Sequence, residues 1–371
     1  MITPSIRAAT IAIAALFVAG GAAADPIPAK PGEEARAFLD LVRANFDRWD
    51  VTHQGRLTAE DVDVDMQNPK IKGDAAAALA GLKWSMKKGK DAEASRKAFT
   101  LADLDAMDKA LADGGKIDKA ALAHFIDGRK KLQAEARQLY SAGVPHLAAI
   151  RQDSTYDCYF NSAVGSLAQA SAQNIMKLIQ QNPDGTFTVT FPGKAPEKVP
   201  APTDSEIAAY SDASDGVWFN VLEKAYAKIR PIKPAMATKE PLDAAALIGG
   251  DGNAVMALVS GHQTEVLRFP LKSGHAADER FLAEVRADLA GAFHDHRAVV
   301  TGKYHHAFAV VAFDPRTDTV TIHNPYDGNG GEGLPDGESD FSSGGFFSIS
   351  TVKFVENFND MGVEQAALTT R

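Results

Sequence analysis

The sequence has one cysteine, Cys158, among its 371 residues. An intramolecular disulfide is therefore excluded, and the fold must be stabilised by its apolar core. Basic clusters of the density that nucleic-acid binding requires are also missing, and the formal net charge is −9 at pH 7. We therefore exclude nucleic acid as a partner. After the first residues, no stretch approaches the roughly 18 consecutive apolar residues of a transmembrane helix.

Residues 1–24 have the pattern of a secretory signal peptide. Arg7 supplies a basic start, an apolar run reaches Val18, and small residues follow at Ala22-Ala23-Ala24. Cleavage after Ala24 would release a soluble chain that begins at Asp25 and does not associate with membranes. The sequence thus predicts a secreted or periplasmic protein. An unpaired thiol in such an oxidising compartment suggests that the thiol has a chemical use.

The remaining chain has the composition of a globular protein, with 45% hydrophobic residues. Helical periodicity dominates residues 25–143, and Gly143-Val144-Pro145 then interrupts it. Residues 144–371 combine helices with strands. We therefore predict an α+β protein with a helical region over 25–143, which could be a propeptide, a regulatory module or a spacer, and a second domain over 144–371.

The helical region contains a segment with the outline of an EF-hand calcium loop. Asp50 stands at the first loop position, Gly55 at the sixth and Asp61 at the twelfth. The third and fifth positions are Thr52 and Gln54, so only two of the ligand side chains carry charge. Two interpretations remain open: a helical pair without calcium, or a weak calcium site formed by Asp50, Thr52, Gln54 and Asp61.

A second helix–loop–helix outline runs from Leu104 to Leu122, with Gly114-Gly115 in its loop. Ala110 and Ala112 replace ligand positions of this second unit. The pair of units therefore resembles EF-hands in architecture more than in chemistry.

Cys158 begins a predicted amphipathic helix. The apolar residues of one helix face follow it at helical spacing: Phe160, Val164, Leu167 and Ala168. The unpaired N–H groups and the positive dipole end of a helix start favour a thiolate over a thiol. Most single cysteines are nevertheless buried and inert, so the sequence context has to decide whether Cys158 is a nucleophile.

Three further residues have the order expected for cysteine-based catalysis. Gln152 lies six residues before Cys158, where a side-chain amide can turn back toward the helix start and stabilise an oxyanion. His306 on a predicted strand and Asn324 after the next strand follow far downstream. The Cys–His separation fits the roughly 130–150 residues of papain-like enzymes. Strand alternation places His305 on the face opposite to His306, so only one of the two can meet Cys158.

These features resemble the catalytic core of calpains, which are papain-related cysteine endopeptidases. The motifs that carry the resemblance are Gln152 with Asp157-Cys158-Tyr159-Phe160, Leu222-Glu223-Lys224-Ala225-Tyr226 after Trp218, the Gly249-Gly250 turn, His306-Ala307-Phe308, Asn324-Pro325, and Phe346-Phe347-Ser348-Ile349. They occur in order over about residues 145–365. The His-Ala-aromatic motif selects His306 over His305.

The resemblance implies a papain-like fold with a helical lobe and a β-rich lobe, preceded by the EF-hand-like region. It implies an endopeptidase for proteins or peptides, with Cys158 as nucleophile and His306 as proton acceptor. Asn324 would orient the imidazole, and Gln152 with the Cys158 N–H would stabilise the oxyanion. No cofactor is required, apart from the calcium considered above. An amidase or transglutaminase with the same triad remains an alternative, as does a calpain-like binding domain without activity.

The chain departs from the calpain pattern close to these residues. Tyr156 stands where calpains usually have glycine, and Tyr326-Asp327 replace a Trp-Gly pair after Asn324-Pro325. We therefore expect a weaker aromatic cover over the hydrogen bond between His306 and Asn324.

Three other histidines suggest a metal site at first sight: His294, His296 and His323. No further carboxylate or cysteine set accompanies them, so we do not expect zinc.

Overall fold

The computed structural model describes residues 31–86, 98–114, 119–134, 137–152, 157–230, 249–270, 278–303, 305–326 and 344–365. The signal peptide predicted for residues 1–24 lies outside these ranges, and so do Tyr156 and Asp327. Within the described ranges, no helix combines the length and the apolar character needed to cross a membrane.

The N-terminal helical region, residues 31–134, contains α1 (Pro31–Trp49), α2 (Ala59–Met66), α3 (Gly73–Met86), α4 (Leu101–Ala112) and α5 (Lys119–Ala134). α3 is buried on almost every side, as its alanine-rich and apolar sequence requires. Large side chains from the neighbouring elements pack around it, among them Phe38, Trp49, Phe99 and Phe125.

Two short strands cross-link this region. β1 (Leu57–Thr58) and β2 (Ala98–Phe99) pair antiparallel, with Leu57 opposite Phe99. β1 belongs to the predicted EF-hand-like loop, whereas β2 directly precedes α4. The helix–loop–helix outline predicted from Leu104 to Leu122 corresponds to α4 and α5, with Gly114 between them. The strand that pairs with the first loop, however, lies before α4.

The two paired strands are followed by the same helix-capping arrangement. Thr58 and Asp61 form a capping box at the start of α2, and Thr100 and Asp103 form the same box at the start of α4. Each box follows a fully buried apolar residue, which is Leu57 in the first case and Phe99 in the second.

The central part of the chain contains β3 (Ile150–Arg151), α6 (Cys158–Leu178), β4 (Ile179–Gln181), β5 (Phe187–Val189), β6 (Glu197–Val199), α7 (Asp204–Ala209), β7 (Asp212–Ala213), α8 (Trp218–Ile229) and α9 (Gly252–Ser260). β3 pairs with β7, and β4 to β6 form a three-stranded antiparallel sheet. α6 is buried from Cys158 to Ala168, so its first half lies in the core. Trp218 is completely buried, which agrees with a packing role.

The C-terminal part is a six-stranded antiparallel sheet in the order β12-β11-β10-β9-β13-β8. Its strands and helices are β8 (Thr264–Arg268), α10 (Glu279–His294), β9 (Val299–Lys303), β10 (His306–Asp314), β11 (Thr319–His323), β12 (Phe346–Ser350), α11 (Thr351–Asn357) and β13 (Asp360–Glu364). α10 and α11 cover one face, where Phe308 and Val310 are buried. α6 and α9 cover the other face, where Ala307 packs.

The core of the helical region extends beyond α5. Ala208, Ala209 and Tyr210, at the end of α7, are buried together with residues of α1, α3 and α5. The helical region therefore packs directly on the central part. The whole is a mixed α+β fold with a helical N-terminal region and an antiparallel sheet, as the sequence predicts.

Candidate active site

A cleft of ≈ 380 Å³ lies where the first turn of α6 meets the end of β9 and the starts of β10 and β13. Its described lining consists of Cys158, Tyr159, Gly249, Gly250, Asp251, Gly252, Asn253, Val300, Thr301, Gly302, His305, His306, Ala307, Asn359 and Asp360. Several of these residues are glycines, so backbone forms much of the wall close to Cys158. A polypeptide can approach such a wall closely.

Cys158 is the first residue of α6, as its sequence context predicts. The side chain is buried, with 8% of its surface exposed. Its sulfur lies 3.9 Å from the carbonyl oxygen of His305 and receives a hydrogen bond from the backbone N–H of Ala307. The sulfur therefore contacts the chain on both sides of His306.

Burial raises the pKa of Cys158 to about 11, which is the opposite of the expected shift. The Ala307 N–H lowers this pKa, whereas the neighbouring Asp157 carboxylate raises it further. The free-energy cost of burying a thiolate away from water is larger here than the stabilisation expected from the helix start. This environment therefore favours the thiol.

His306 and Asn324 are joined as predicted. The His306 Nε2–H donates to Asn324 Oδ1 over 2.8 Å, and the same oxygen accepts the backbone N–H of Tyr326 at 3.1 Å. Because an amide oxygen can only accept, this bond places the proton of a neutral imidazole on Nε2. Asn324 is fully buried, which shields the bond from water.

Aromatic rings enclose the imidazole of His306. The ring of Tyr326 stacks on it with centroids 5.2 Å apart, and Phe308 meets it edge to face at 4.6 Å. Tyr326 therefore provides the aromatic cover at the position where calpains have tryptophan. His305 also lines the cleft, but it is exposed.

Gln152 is buried at the end of β3, next to the Asn324 segment. Its backbone N–H donates to the carbonyl of Pro325 over 2.9 Å. Neither Oε1 nor Nε2 of its side chain has a hydrogen-bond partner among the described residues. Residues 153–156, which join Gln152 to the start of α6, lie outside the described ranges.

A family model described as "Calpain family cysteine protease" matches residues 119–330, more than half of the chain. The chain belongs to the calpain family of cysteine proteases. The match includes Cys158, His306 and Asn324, and it begins in α5 of the helical region. No curated protein matches the chain.

The EF-hand-like loop of this calpain-family chain, for which calcium binding was one of two interpretations, is closed by its own backbone. Asp50 accepts the N–H groups of Gln54 and Gly55 at 2.9 and 2.7 Å. Asp61 accepts the N–H groups of Thr52 and Thr58 at 2.9 and 2.8 Å. Both carboxylates are thus engaged in the loop.

Two carboxylates in the cleft were not anticipated from the sequence. Asp251 follows the Gly249-Gly250 turn and caps α9 by accepting the N–H of Asn253 at 2.9 Å. Asp360 reaches the cleft because β13 lies between β9 and β8, a pairing without a local sequence signal. Burial raises the pKa of Asp360, and the charge of Asp251 raises it further.

Proposed function

We propose that the protein is a cysteine endopeptidase with Cys158, His306 and Asn324 as its triad. The observation that carries the proposal is that His306, which lines the same cleft as Cys158, is hydrogen-bonded to the buried Asn324. Since Nε2 is engaged by Asn324, proton exchange with the thiol falls to Nδ1. The calpain family supports proteins as the substrate class.

The raised pKa of Cys158 supports a general-base mechanism. His306 accepts the thiol proton while the sulfur attacks the peptide carbonyl, forming a C–S bond and an oxyanion. The intermediate then collapses, the C–N bond breaks and His306 donates its proton to the leaving amine. Finally His306 deprotonates a water molecule, which cleaves the thioester and regenerates the thiol of Cys158.

The side-chain amide of Gln152 is suited to the oxyanion. A buried polar group without a partner costs about 1–3 kcal/mol, so its presence in a folded protein requires a reason. A developing oxyanion would accept the Nε2–H of Gln152 together with the backbone N–H of Cys158. The Nε2–H of Gln152 would thereby gain a hydrogen-bond partner in the transition state.

The charge of the cleft supports a preference among substrates. Asp251 and Asp360 contribute carboxylates, and no lysine or arginine lines the cleft within the described residues. A substrate with a basic side chain near the cleaved bond would compensate the charge of the partly buried Asp360.

The test is proteolysis of unfolded casein by the purified chain, with Cys158→Ala as the matched control. Mass spectrometry of the products should show new amine and carboxylate ends in the wild type and none in the variant. An added primary amine tests the acyl-transfer alternative, because a transglutaminase would join it to glutamine side chains. Absence of both products would contradict the proposal.

We also propose that the protein is exported, on the basis of the signal-peptide pattern over residues 1–24. The mature N-terminus should then be Asp25. N-terminal sequencing of protein recovered outside the cytoplasm measures this directly, and an intact Met1 end would contradict it.

A further inference from the structure

The residue before the nucleophile carries a completely buried carboxylate. Asp157 has none of its surface exposed and directly precedes α6. Ser211, which is also completely buried, donates its hydroxyl to the two carboxylate oxygens of Asp157 at 3.1 and 3.2 Å. A buried carboxylate persists only when such hydrogen bonds stabilise it. Ser211 therefore helps to fix the position of Asp157, and with it the start of α6.

Two asparagines hold Ser211 and Asp157 together. Asn220 of α8 donates its side-chain N–H to the carbonyl of Ser211 over 2.9 Å. Asn161 of α6 donates to the carbonyl of Asp157 over 3.1 Å and lies 3.4 Å from the Ser211 hydroxyl. The first turn of α6 is thus fixed to the short chain segment that contains Ser211.

That segment is in turn held by the helical region. Residues 203–210, which we call the α7 segment, lead directly into Ser211. Trp84 of α3 donates its indole N–H to the carbonyl of Ala209 over 2.9 Å. Lys131 of α5 donates to the carbonyl of Tyr210 over 2.8 Å.

The other end of the α7 segment is held in the same way. The hydroxyl of Thr203 donates to the carbonyl of Met66 over 2.6 Å. Asp204 accepts the backbone N–H of Gly73 over 2.9 Å and forms an ion pair with Lys72. The α7 segment therefore contacts the helical region at its start, at its end and through its buried apolar side chains.

From this chain of contacts we infer that the helical region, residues 31–134, is a permanent support for the nucleophile, acting through the α7 segment and the Ser211–Asp157 hydrogen bond. Ser211 and Asp157 are positioning residues, since neither lines the cleft. The inference rests on the proposed cysteine peptidase activity. The sequence left three roles open for the helical region, namely a propeptide, a regulatory module or a spacer, and the contacts of this region distinguish between them.

An inhibitory propeptide would have to occupy the cleft or block its entrance. The described residues that line the cleft include none from the helical region. A spacer would have no need of a shared core or of buried hydrogen bonds to the α7 segment. A support that orients α6 accounts for both observations.

A pair of tryptophan variants tests whether the helical region supports Cys158 through the α7 segment. Trp84→Phe removes the hydrogen bond to Ala209 and keeps an aromatic ring in the core. Trp49→Phe is the matched control, because Trp49 is equally part of that core and its indole nitrogen has no partner among the described residues. Ser211→Ala removes the hydrogen bond to Asp157, which is the final contact in the series that links the α7 segment to the start of α6.

We expect kcat to fall about 10- to 100-fold in Trp84→Phe and Ser211→Ala, with KM changed less than about threefold, because a misplaced nucleophile affects the chemical step. Alkylation of Cys158 by iodoacetamide should accelerate in both variants, since the loosened helix start exposes the sulfur. Trp49→Phe should match the wild type in both measurements after correction for its thermal stability. Equal effects of Trp49→Phe and Trp84→Phe, or an unchanged kcat in Ser211→Ala, would overturn the inference.

The alkylation assay also separates this inference from the proposed activity. If the wild type cleaves no substrate, the proposed function fails, but the ranking of the four proteins in Cys158 alkylation still decides whether the helical region supports the nucleophile. A specific protease site inserted at the exposed Gly143 gives a further measurement on the full chain. The nicked halves should remain associated and keep their activity. An increase in activity after nicking would instead show an inhibitory propeptide.

Discussion

The ring of Tyr326 stacks on the imidazole of His306, with the ring centroids 5.2 Å apart and the planes inclined by 28°. The same tyrosine donates its backbone N–H to Asn324 Oδ1, the atom that also holds His306. One residue therefore covers the imidazole and supports its hydrogen-bond partner. The stack limits rotation of the ring and keeps water from the His306–Asn324 bond.

Tyr326→Ala should therefore lower kcat about 10- to 100-fold, because the imidazole loses its fixed orientation. Tyr326→Phe keeps the ring and the backbone N–H, so it should retain most of the activity. Steady-state kinetics on a fluorogenic peptide measures both variants. A similar loss in the two would show that the phenol oxygen matters and the stack does not.

The raised pKa of Cys158 predicts an unusual pH dependence of alkylation. With a pKa of about 11, only about one thiol in 10⁴ is ionised at pH 7. The iodoacetamide rate of the folded protein should rise about tenfold per pH unit through pH 8.5 and beyond. In urea the same thiol should titrate near its ordinary value of about 8.5. A plateau of the folded protein below pH 8.5 would instead reveal a resting thiolate–imidazolium pair.

The same shift affects stability. Between about pH 8.5 and 11 the unfolded chain loses the Cys158 proton while the folded chain keeps it. The unfolded state is therefore favoured as the pH rises through this window, and the free energy of unfolding should decrease there.

The sequence was sufficient to predict the helix and the strand that contain Cys158 and His306. The apolar spacing after Cys158 predicts α6, and alternation after His306 predicts β10, because both depend on local periodicity. The Cys–His–Asn order was sufficient to identify Cys158 and His306, which line one cleft, and Asn324, which is hydrogen-bonded to His306 behind it. In these cases the motif and the local pattern indicate the same structure.

Features that depend on packing between distant segments could not be predicted. The pKa of Cys158 follows from how deeply β10 buries the sulfur, which no spacing rule expresses. Asp360 reaches the cleft through the order of strands in the sheet. Ser211 meets Asp157 across 54 residues of sequence, and a lone serine in the sequence gives no such indication.

The adjacent histidines give a sharp comparison. His306→Ala should reduce kcat/KM almost as far as Cys158→Ala, because base and nucleophile act as a unit. His305→Ala should retain most activity, since the side chain is exposed and the hydrogen bond to Asn324 belongs to His306. Asn324→Ala and Gln152→Ala should each lose about 10²–10³ in rate. Loss of activity in His305→Ala with retention in His306→Ala would reassign the base.

Calcium binding, if it occurs in the helical region, should be weak and should depend on Asp50. Both carboxylates of the loop already accept backbone N–H groups, and calcium would have to compete with them. With two charged ligands we expect Kd near ~10⁻⁴ to 10⁻³ M. Calorimetry should show one weak event that Asp50→Ala abolishes and Asp47→Ala, on the exposed side of α1, retains. Tight binding that survives Asp50→Ala would place the ion elsewhere.

The last prediction concerns the acidic wall of the cleft. Asp360 is partly buried beside Gly302, and its raised pKa shows that the described surroundings do not fully compensate its charge, although Arg268 lies opposite it on β8. A lysine or arginine side chain of the substrate would supply this compensation. Cleavage sites in casein should therefore be enriched in basic residues at one fixed position near the cleaved bond.

Asp360→Asn keeps the shape of the side chain and removes its charge. For a peptide pair that differs only in lysine or norleucine at the enriched position, the kcat/KM ratio should fall about 10- to 100-fold in this variant, as expected for a hydrogen bond to a charged group. Asp127→Asn, on the exposed face of α5, is the control and should leave the ratio unchanged. Calorimetry of the same peptides with Cys158→Ala measures recognition without turnover. If wild type shows no basic enrichment, or if Asp360→Asn keeps the full ratio, the carboxylate does not select the substrate.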